Sequence, residues 1–339
     1  MSATASIRRR FLKLHSPLIT PRRWPDMSRR LLRWLDQYLV MVSLLVIILT
    51  FTLAAENFLS YGTLSAILNQ LPALTLVTVG MTFVLICGGI DLSVGSVLAL
   101  SAAVIGVTVA AGFSISVAAL AGVATGAVAG LVNGLLGSYL RLPVFIVTLG
   151  MLEAARGFAY LITDSQTVYI GNAIQGLVQP IPRLALTPAF LCALVVVAVA
   201  HFVLTATVFG RHIIAVGTNP EAARMSGIDP KLTLLIVLCI SGVLAGLAGL
   251  MNSAYLGSTD PNAGLGLELA AIAAAVIGGT SLMGGRGSIF SAFIGVLIIA
   301  VLQNGLAQIG VSEPFKRVVT GVVIVLAVVL DRWRADRVP

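Results

Sequence analysis

Three charged side chains lie within or between long apolar runs and are the first candidates for chemistry in this sequence. Asp91 follows a pair of glycines, while Glu153 and Arg156 stand three positions apart, which places them on one helix face. Charged groups inside membrane helices are costly and usually face the protein interior or a water-filled cavity. We expect Glu153 and Arg156 to form a structural ion pair; the alternative is a gating pair or a polar lining of a passage.

The segment 88–96, Gly-Gly-Ile-Asp-Leu-Ser-Val-Gly-Ser, combines flexible and polar residues between two apolar runs. Asp91 can cap the helix that follows, and the glycines permit a sharp backbone reversal. One interpretation is an ordinary capped turn. The other is a break in helices that line a polar pathway, with Asp91 and Ser93 offering hydrogen bonds. Asn133 and Asn304, near the ends of two other apolar runs, are further pathway candidates, with helix capping as the alternative.

A short helix is predicted within the polar segment 210–231. Thr218 or Asn219 can cap it, Pro220 suits its first turn, and Gly227 suits a left-handed stop. A helix of about two turns is not stable alone, so it must pack on the protein's own helices or on a partner. The residues that compose this site are Gly217, Thr218, Asn219, Pro220, Glu221, Ala222, Ala223, Arg224 and Gly227.

The sequence lacks the common catalytic motifs. Its only lysines are Lys13, Lys231 and Lys316, none of which follows a glycine, so there is no phosphate-binding loop. The three histidines form no HExxH motif, no G-x-S-x-G occurs, and the three cysteines lie singly in apolar stretches. We therefore expect no enzyme activity, no cofactor and no metal in this chain. An intramembrane enzyme is the disfavoured alternative.

The composition is that of an integral membrane protein. Apolar residues make up 58% of the 339 positions and charged residues only 10%, whereas soluble domains carry about a quarter charged residues. Apolar runs of roughly 20 residues, the length that crosses a bilayer, predict about ten helices. The predicted spans are 38–55, 65–87, 93–111, 115–137, 143–163, 188–209, 232–254, 266–280, 288–309 and 317–331. The eighth is short, so it is expected to be tilted, broken or only partly crossing.

The distribution of basic residues predicts the orientation. With ten spans and both termini in the cytoplasm, 17 of the 21 Lys and Arg fall in cytoplasmic segments and three fall outside. This bias follows the positive-inside rule and supports the even number of spans. The segment 210–231 is then a cytoplasmic loop.

The predicted domain organisation is a basic cytoplasmic tail over residues 1–36, a transmembrane domain over 37–331, and a short cytoplasmic tail over 332–339. Nine of the 21 basic residues lie in the first tail. We attribute them to contact with anionic lipid headgroups and not to nucleic-acid binding. An organellar transit peptide is the alternative.

Four glycines at spacing four predict close helix packing. Gly122, Gly126, Gly130 and Gly134 form one smooth face, an extended GxxxG pattern. The pairs Asn133-Gly134 and Asn304-Gly305 both end apolar runs, but they fall on opposite sides of the predicted membrane. We therefore infer no internal repeat from them.

Residues 38–331 resemble the permease subunits of bacterial ABC importers for monosaccharides, the family of ribose, xylose and galactose permeases. The most specific segments are GGIDLSVGSVLALSA at 88–102, NGLLGSYLRLPVFIVTLGM at 133–151, GRHIIAVGTNPEAARMSGI at 210–228 and AAVIGGTSLMGGRGSIFSAFIGV at 274–296. The similarity is greatest to ribose-type permeases.

The resemblance implies an all-α importer permease in the bacterial inner membrane, moving ribose or a similar sugar. It implies a second permease copy or a related subunit, cytoplasmic ATPase subunits that bind ATP and Mg, and a periplasmic sugar-binding protein. It also implies that the helix near residues 218–227 contacts the ATPase. Glu221-Ala222-Ala223 with Gly227 matches the start of the EAA-type loop of importers, although no Leu-Pro follows. The rival hypothesis is a secondary transporter or channel for a small polar solute.

Overall fold

The computed structural model describes residues 26–181 and 186–335, and this part of the chain is mostly helical. Residues 1–25 and 336–339 of the two predicted tails lie outside the described residues. Contacts divide the chain into residues 1–38, whose described part is helical, and residues 39–339.

The helices are α1 (Asp26–Ala54), α2 (Tyr61–Ile86), α3 (Val94–Ala110), α4 (Ile115–Ser138), α5 (Val144–Ile162), α6 (Pro188–Ala206), α7 (Val208–Thr218), α8 (Pro220–Met225), α9 (Pro230–Leu256), α10 (Leu267–Ile277), α11 (Ile289–Gln308) and α12 (Glu313–Ala335). A 3₁₀ helix covers Gly171–Leu177, and the two short strands are β1 (Val168–Tyr169) and β2 (Ser258–Thr259).

A helix lies at each predicted span, but the helices differ in length and polarity. Six of the described helices, α2, α4, α5, α6, α9 and α11, are long and apolar enough to cross a membrane. The apolar stretch 40–54 of α1, together with α3 and α10, is shorter. The structure thus confirms a mostly helical protein, with six described helices that are long and apolar enough to cross a membrane.

Two of the helices that lie at predicted spans are too short to cross a bilayer. α3 has 17 residues and α10 has 11, which correspond to about 25 and 16 Å at the rise of an α-helix. The hydrocarbon core of a membrane is about 30 Å thick. Each follows a non-helical segment, residues 87–93 before α3 and residues 257–266 before α10.

The 87–93 segment turns back into the helix bundle. Gly80, about 9 Å before the end of α2 at Ile86, packs closely on the backbone of Ser241 in α9. The hydroxyl of Ser241 in turn donates to Asp91 at 2.8 Å. Asp91 therefore lies near the level of Gly80, and α3 begins inside the bundle instead of at its end.

The 257–266 segment also reaches the start of α3, from the opposite end of the helix bundle. Its first residues pair with the segment after α5, because β1 and β2 form an antiparallel pair with Val168 opposite Thr259. Farther along, Gly264 touches Gly95 in the first turn of α3, so closely that a Cβ on either glycine would overlap the other's carbonyl oxygen or approach it very closely. The starts of α3 and α10 thus meet within the bundle.

The chain contains an internal repeat, contrary to the expectation from its sequence. Asn133-Gly134-Leu135 and Asn304-Gly305-Leu306 are 171 positions apart (304 minus 133), and the same shift carries Pro143 onto Pro314 and Gly150 onto Gly321. It also carries α2, α3, α4 and α5 onto α9, α10, α11 and α12, with every shifted boundary within four residues of the observed one.

The two repeats run in opposite directions. Gln70, in the first half of α2, contacts Tyr255 at the end of α9 and Asn304 near the end of α11. Gly287, just before α11, packs on Ile86 at the end of α2. Both α9 and α11 are therefore antiparallel to α2. Inverted repeats of this kind are common in membrane transporters and place broken helices near the bilayer midplane.

The glycine face predicted on α4 packs mainly against α9. A Cβ on Gly126 would overlap the carbonyl oxygen of Gly242, and one on Gly130 would overlap that of Leu238. Gly134 meets Leu235, while Gly122 packs on side chains and backbone of α3 and on α9. Backbone approach this close requires residues without side chains and lets the two helices bury their faces along most of their length.

Candidate functional site

The predicted short helix is present as α8, six residues from Pro220 to Met225. Asn219 is its N-cap, because the side-chain oxygen accepts hydrogen bonds from the backbone N–H groups of Glu221 and Ala222, both at 3.0 Å. Thr218 is not the cap; its hydroxyl donates to a carbonyl within α7. Gly227 has φ of 84°, the left-handed conformation that commonly ends a helix.

One face of α8 is exposed in the described structure. Ala223 is buried against the protein, whereas Glu221 and Arg224 are exposed and joined by a salt bridge of 2.7 Å. The hydrogen bond from Arg224 to Glu221 raises the pKa of the guanidinium, which is charged in any case. Met225 is 84% exposed, so a flexible apolar side chain on this face is available to contact a partner.

The helix α7 before it was not predicted, since residues 210–217 were assigned to a loop. Thr207 caps α7 by accepting a hydrogen bond from the N–H of Gly210 at 3.2 Å. Ile213 and Val216, three residues apart, are buried. That apolar spacing in HIIAVG was the signal available in the sequence.

Four glycines form a junction where α7 ends. A Cβ on Gly217 would overlap the carbonyl oxygen of Ile86, the last residue of α2, and one on Gly284 would approach Gly88 and Gly217 too closely. The N–H of Gly285 donates to the same Ile86 carbonyl at 2.8 Å. This glycine junction, Gly88, Gly217, Gly284 and Gly285, joins α7 to the 87–93 segment and to the turn after α10.

The structure brings Asp91, Ser93 and Asn133 together in one buried polar network. One carboxylate oxygen of Asp91 accepts from the Ser93 N–H at 3.0 Å and hydroxyl at 2.6 Å, and the other accepts from Ser241. The amide of Asn133 donates to the Ser93 hydroxyl at 3.0 Å. Asp91, Ser93 and Asn133 are each 1% exposed, so the network holds the start of α3. Ser241 was not identified from the sequence.

Thr148 also fixes the 87–93 segment and was likewise missed. Its hydroxyl donates to the carbonyl of Ile90 at 3.0 Å and accepts from the N–H of Leu92 at 3.1 Å. A single side chain on α5 therefore satisfies two backbone groups of a segment that has no helix of its own.

Arg156 binds the second non-helical segment and not Glu153, so the predicted ion pair is wrong. Its guanidinium donates to the carbonyl oxygens of Pro261 and Ala263, the latter at 2.8 Å. Within the described part of the chain, the salt bridges are Glu221 with Arg224 and Glu313 with Lys316. The physical reason is that buried carbonyls outside a helix need donors, and a guanidinium offers five.

Glu153 instead lies on the exposed side of α5, at the middle of the helix. Gly150 and Gly157, three residues before and four after it, have open space beyond their Cα atoms in the described structure. Glu153 and Arg156 thus face different surroundings, one open and one buried. Asn304 is elsewhere: its amide donates to Gln70 at 3.0 Å and to the carbonyl of Ala300.

Comparison with known proteins places this arrangement in a family. Residues 63–328 match the family model described as "Branched-chain amino acid transport system / permease component". The ribose import permease protein RbsC of Escherichia coli (strain K12) is 40% identical over 305 residues, covering 88% of this chain and 94% of the relative. The D-allose transport system permease protein AlsC of the same organism is 39% identical over 308 residues, covering 88% and 92%.

A third relative, the fructose import permease protein FrcC of Rhizobium meliloti, is 32% identical over 305 residues, covering 86% of this chain and 85% of the relative. No solved structure gives a significant match. The chain belongs to this family of transport-system permease components. It is a multi-pass inner-membrane protein, and its family role is that of a permease and not of an enzyme.

Proposed function

We propose that this chain is the membrane-spanning subunit of an ATP-driven importer for a monosaccharide, most simply ribose or a sugar of similar size. The relatives at 40, 39 and 32% identity are named for ribose, allose and fructose, all monosaccharides. The structural observation that carries the proposal is α8: a capped, exposed helix whose neighbour α7 ends in the glycine junction.

In this proposal the chain crosses the membrane ten times and has both termini in the cytoplasm. α3 and α10 cross as half-helices, each together with its non-helical segment. The positive-inside bias supports this orientation, and it places α8 and the glycine junction at the cytoplasmic end. A cytoplasmic ATPase subunit, which binds ATP and Mg, contacts the free face of α8 around Met225.

The glycine junction supplies the mechanical link. Gly217 stands two residues before the cap of α8 and touches both the end of α2 and the turn carrying Gly284 and Gly285. A displacement of α8 by the ATPase would therefore be transmitted to the 87–93 segment and to the turn after α10. Because the 87–93 segment leads into α3 and the turn with Gly284 and Gly285 follows α10, one movement acts on both half-helices. The chain provides the passage and this linkage, with no covalent chemistry.

The exposed face of α5 supports a second copy of the chain as a partner. Glu153 sits at the centre of a membrane helix and is exposed, with the open positions Gly150 and Gly157 beside it. A carboxylate facing lipid at that depth would cost several kcal/mol, about 2.5–3.5 on insertion scales. We place this face along a water-filled passage between two copies, so that Glu153 lines the sugar's route. Lipid covers the other apolar faces, and a periplasmic sugar-binding protein docks at the end opposite α8.

The test is reconstitution of the chain in proteoliposomes with its ATPase and sugar-binding protein. Uptake of ribose, allose and fructose is measured with ATP, without ATP, and with an imposed ion gradient. We expect uptake of at least one of these sugars that requires ATP and both partners. Uptake by the chain alone, driven by the ion gradient, would identify a secondary transporter and overturn the proposal.

A further inference from the structure

A cavity of about 510 Å³ lies between α2, α10, α11 and α12, at the end of the bundle opposite α8. Its volume falls within the range of small-molecule sites, about 300–1,000 Å³. Of the residues that the sequence singled out as pathway candidates, Asn304 alone lines it. The principal side chains of its wall are Gln70, Gln303, Asn304, Leu265, Leu269 and Thr320.

Apart from the charged residues of α12, the wall of the cavity has two chemically distinct parts. Leu265 and Leu269, at the start of α10, form an apolar part and are about half exposed. The amides of Gln70, Gln303 and Asn304 form the polar part. A sugar ring has the same division, because its C–H groups form an apolar face while its hydroxyls both donate and accept hydrogen bonds. Carboxamides match hydroxyls in both roles.

Some hydrogen-bonding groups of this wall have no partner within the described part of the protein. The amide of Gln303 has no hydrogen-bond partner among the described residues. Asn304 is oriented by its bond to Gln70 at 3.0 Å, and Gln70 is held by the hydroxyl of Tyr255 at 3.3 Å. The Gln303 amide beside this oriented pair can donate to and accept from a polar ligand in the cavity.

Three charged side chains line the cavity on its α12 side, and their arrangement favours a neutral ligand. Glu313 and Lys316 neutralise each other in a salt bridge of 2.5 Å, and Arg317 lies exposed on the same first turns of α12. The part of the wall formed by Gln70, Gln303, Asn304 and the start of α10 contains no charged side chain among the described residues. Within the described structure, an anionic ligand would find its only unpaired cation, Arg317, on the α12 side of the cavity.

We propose that this cavity is an entry site for a neutral monosaccharide, occupied before the sugar passes the half-helices. This inference rests on the proposed function. It extends that function by naming where the sugar first binds. The site adjoins Gly266, immediately before α10, so an occupying sugar would touch the half-helix that the glycine junction moves.

The experiment compares Thr320→Phe with Val322→Phe in the reconstituted importer, using labelled ribose, or whichever of allose and fructose the wild-type complex transports. Thr320 lines the cavity, whereas Val322 lies on the same helix, is 54% exposed and does not line it. We expect Thr320→Phe to lower maximal sugar uptake at least tenfold and Val322→Phe to leave it within twofold. Gln303→Leu, which removes the free amide, should lower uptake about fivefold, as loss of one neutral hydrogen bond would.

Stimulation of ATP hydrolysis by the sugar-loaded binding protein is recorded alongside. It should persist in Thr320→Phe and Gln303→Leu, since neither alters α8, and this separates a lost sugar site from a misfolded chain. Wild-type uptake rates in both variants would overturn the entry site and leave the importer assignment standing. Absence of ATP-driven uptake in the wild-type complex would instead overturn the proposed function.

Discussion

The guanidinium of Arg156 lies 2.8 Å from the carbonyl oxygen of Ala263, so a charged side chain of the first repeat holds the backbone of the second. Tyr160, one turn farther along α5, donates to the side chain of Asn262 at 2.6 Å. α5 therefore binds the 257–266 segment through two adjacent side chains. We infer that α5 and this segment move together, and that the position of α10 depends on Arg156.

Replacing Arg156 tests this attachment. Arg156→Gln should leave a carbonyl of Pro261 or Ala263 without a strong donor, which costs about 1–3 kcal/mol for a buried group. We expect a lower midpoint of thermal unfolding in detergent and a loss of most sugar uptake. Arg156→Lys keeps the charge but lacks the planar guanidinium with its several donors, so its effect on stability and uptake should be intermediate.

Glu153→Gln is the matched control, because an ion pair would make the two residues interdependent. Glu153 is exposed and makes no salt bridge within the described structure, so its replacement should not shift the unfolding midpoint. Equal destabilisation by Glu153→Gln and Arg156→Gln would mean that the two residues are paired after all.

The ion pair illustrates what a helical spacing can and cannot predict. Two residues three apart share a face of an isolated helix, and the sequence contains nothing that says which other segments approach that face. Arg156 in fact donates hydrogen bonds to the carbonyl oxygens of residues 261 and 263, more than 100 positions away. Those carbonyls become acceptors only because the 257–266 segment is not helical, a fact set by tertiary packing.

The contact between α4 and α9 gives a prediction on stability. Gly126→Ala would place a methyl group against the carbonyl oxygen of Gly242, and overpacking of this kind typically costs about 1–3 kcal/mol. We expect a lower thermal midpoint and less folded protein in the membrane. Gly62→Ala is the control, since the nearest heavy atom to its Cβ would be 3.8 Å away. Equal stability of both variants would contradict close packing at Gly126.

The 87–93 segment gives a second prediction on stability. Thr148→Val keeps the shape of the side chain but removes its bonds to Ile90 and Leu92. Two partly buried backbone groups would then lack a partner, at a cost of up to about 1–3 kcal/mol each. Thr125→Val is the matched control, because that hydroxyl donates only to a carbonyl of its own helix. A shift of the unfolding midpoint no larger in Thr148→Val than in Thr125→Val would argue against this role.

Helix positions could be predicted from the sequence, because long apolar runs and the glycine, proline and polar residues between them decide where helices form. The inverted repeat was not, although Asn133-Gly134 and Asn304-Gly305 pointed to it. Their predicted placement on opposite sides of the membrane is what an inverted repeat requires, and recognising the repeat depends on knowing the directions of α2, α9 and α11. The N-cap at Asn219 and the helix end at Gly227 could be predicted from the sequence, since caps depend on local chemistry.

The cap of α8 yields a prediction on assembly. Asn219→Ala removes two hydrogen bonds to the first turn and should cost about 1 kcal/mol of helix stability. We expect weaker co-purification of the ATPase subunit and slower uptake, with insertion into the membrane unchanged. Asn219→Asp, which can cap equally well, should retain both. Loss of assembly in both variants would point to a direct contact of the Asn219 amide with the ATPase instead of a capping role.

The most direct test of the central claim is the amount of sugar taken up per ATP hydrolysed in the Glu221→Arg, Gly227→Pro double variant. The charge reversal alters the exposed face of α8, and proline cannot adopt the φ of 84° at Gly227. If α8 couples the ATPase to the passage, the variant will insert in the membrane but uptake per ATP will fall at least tenfold. Uptake per ATP equal to that of the wild type would contradict the account.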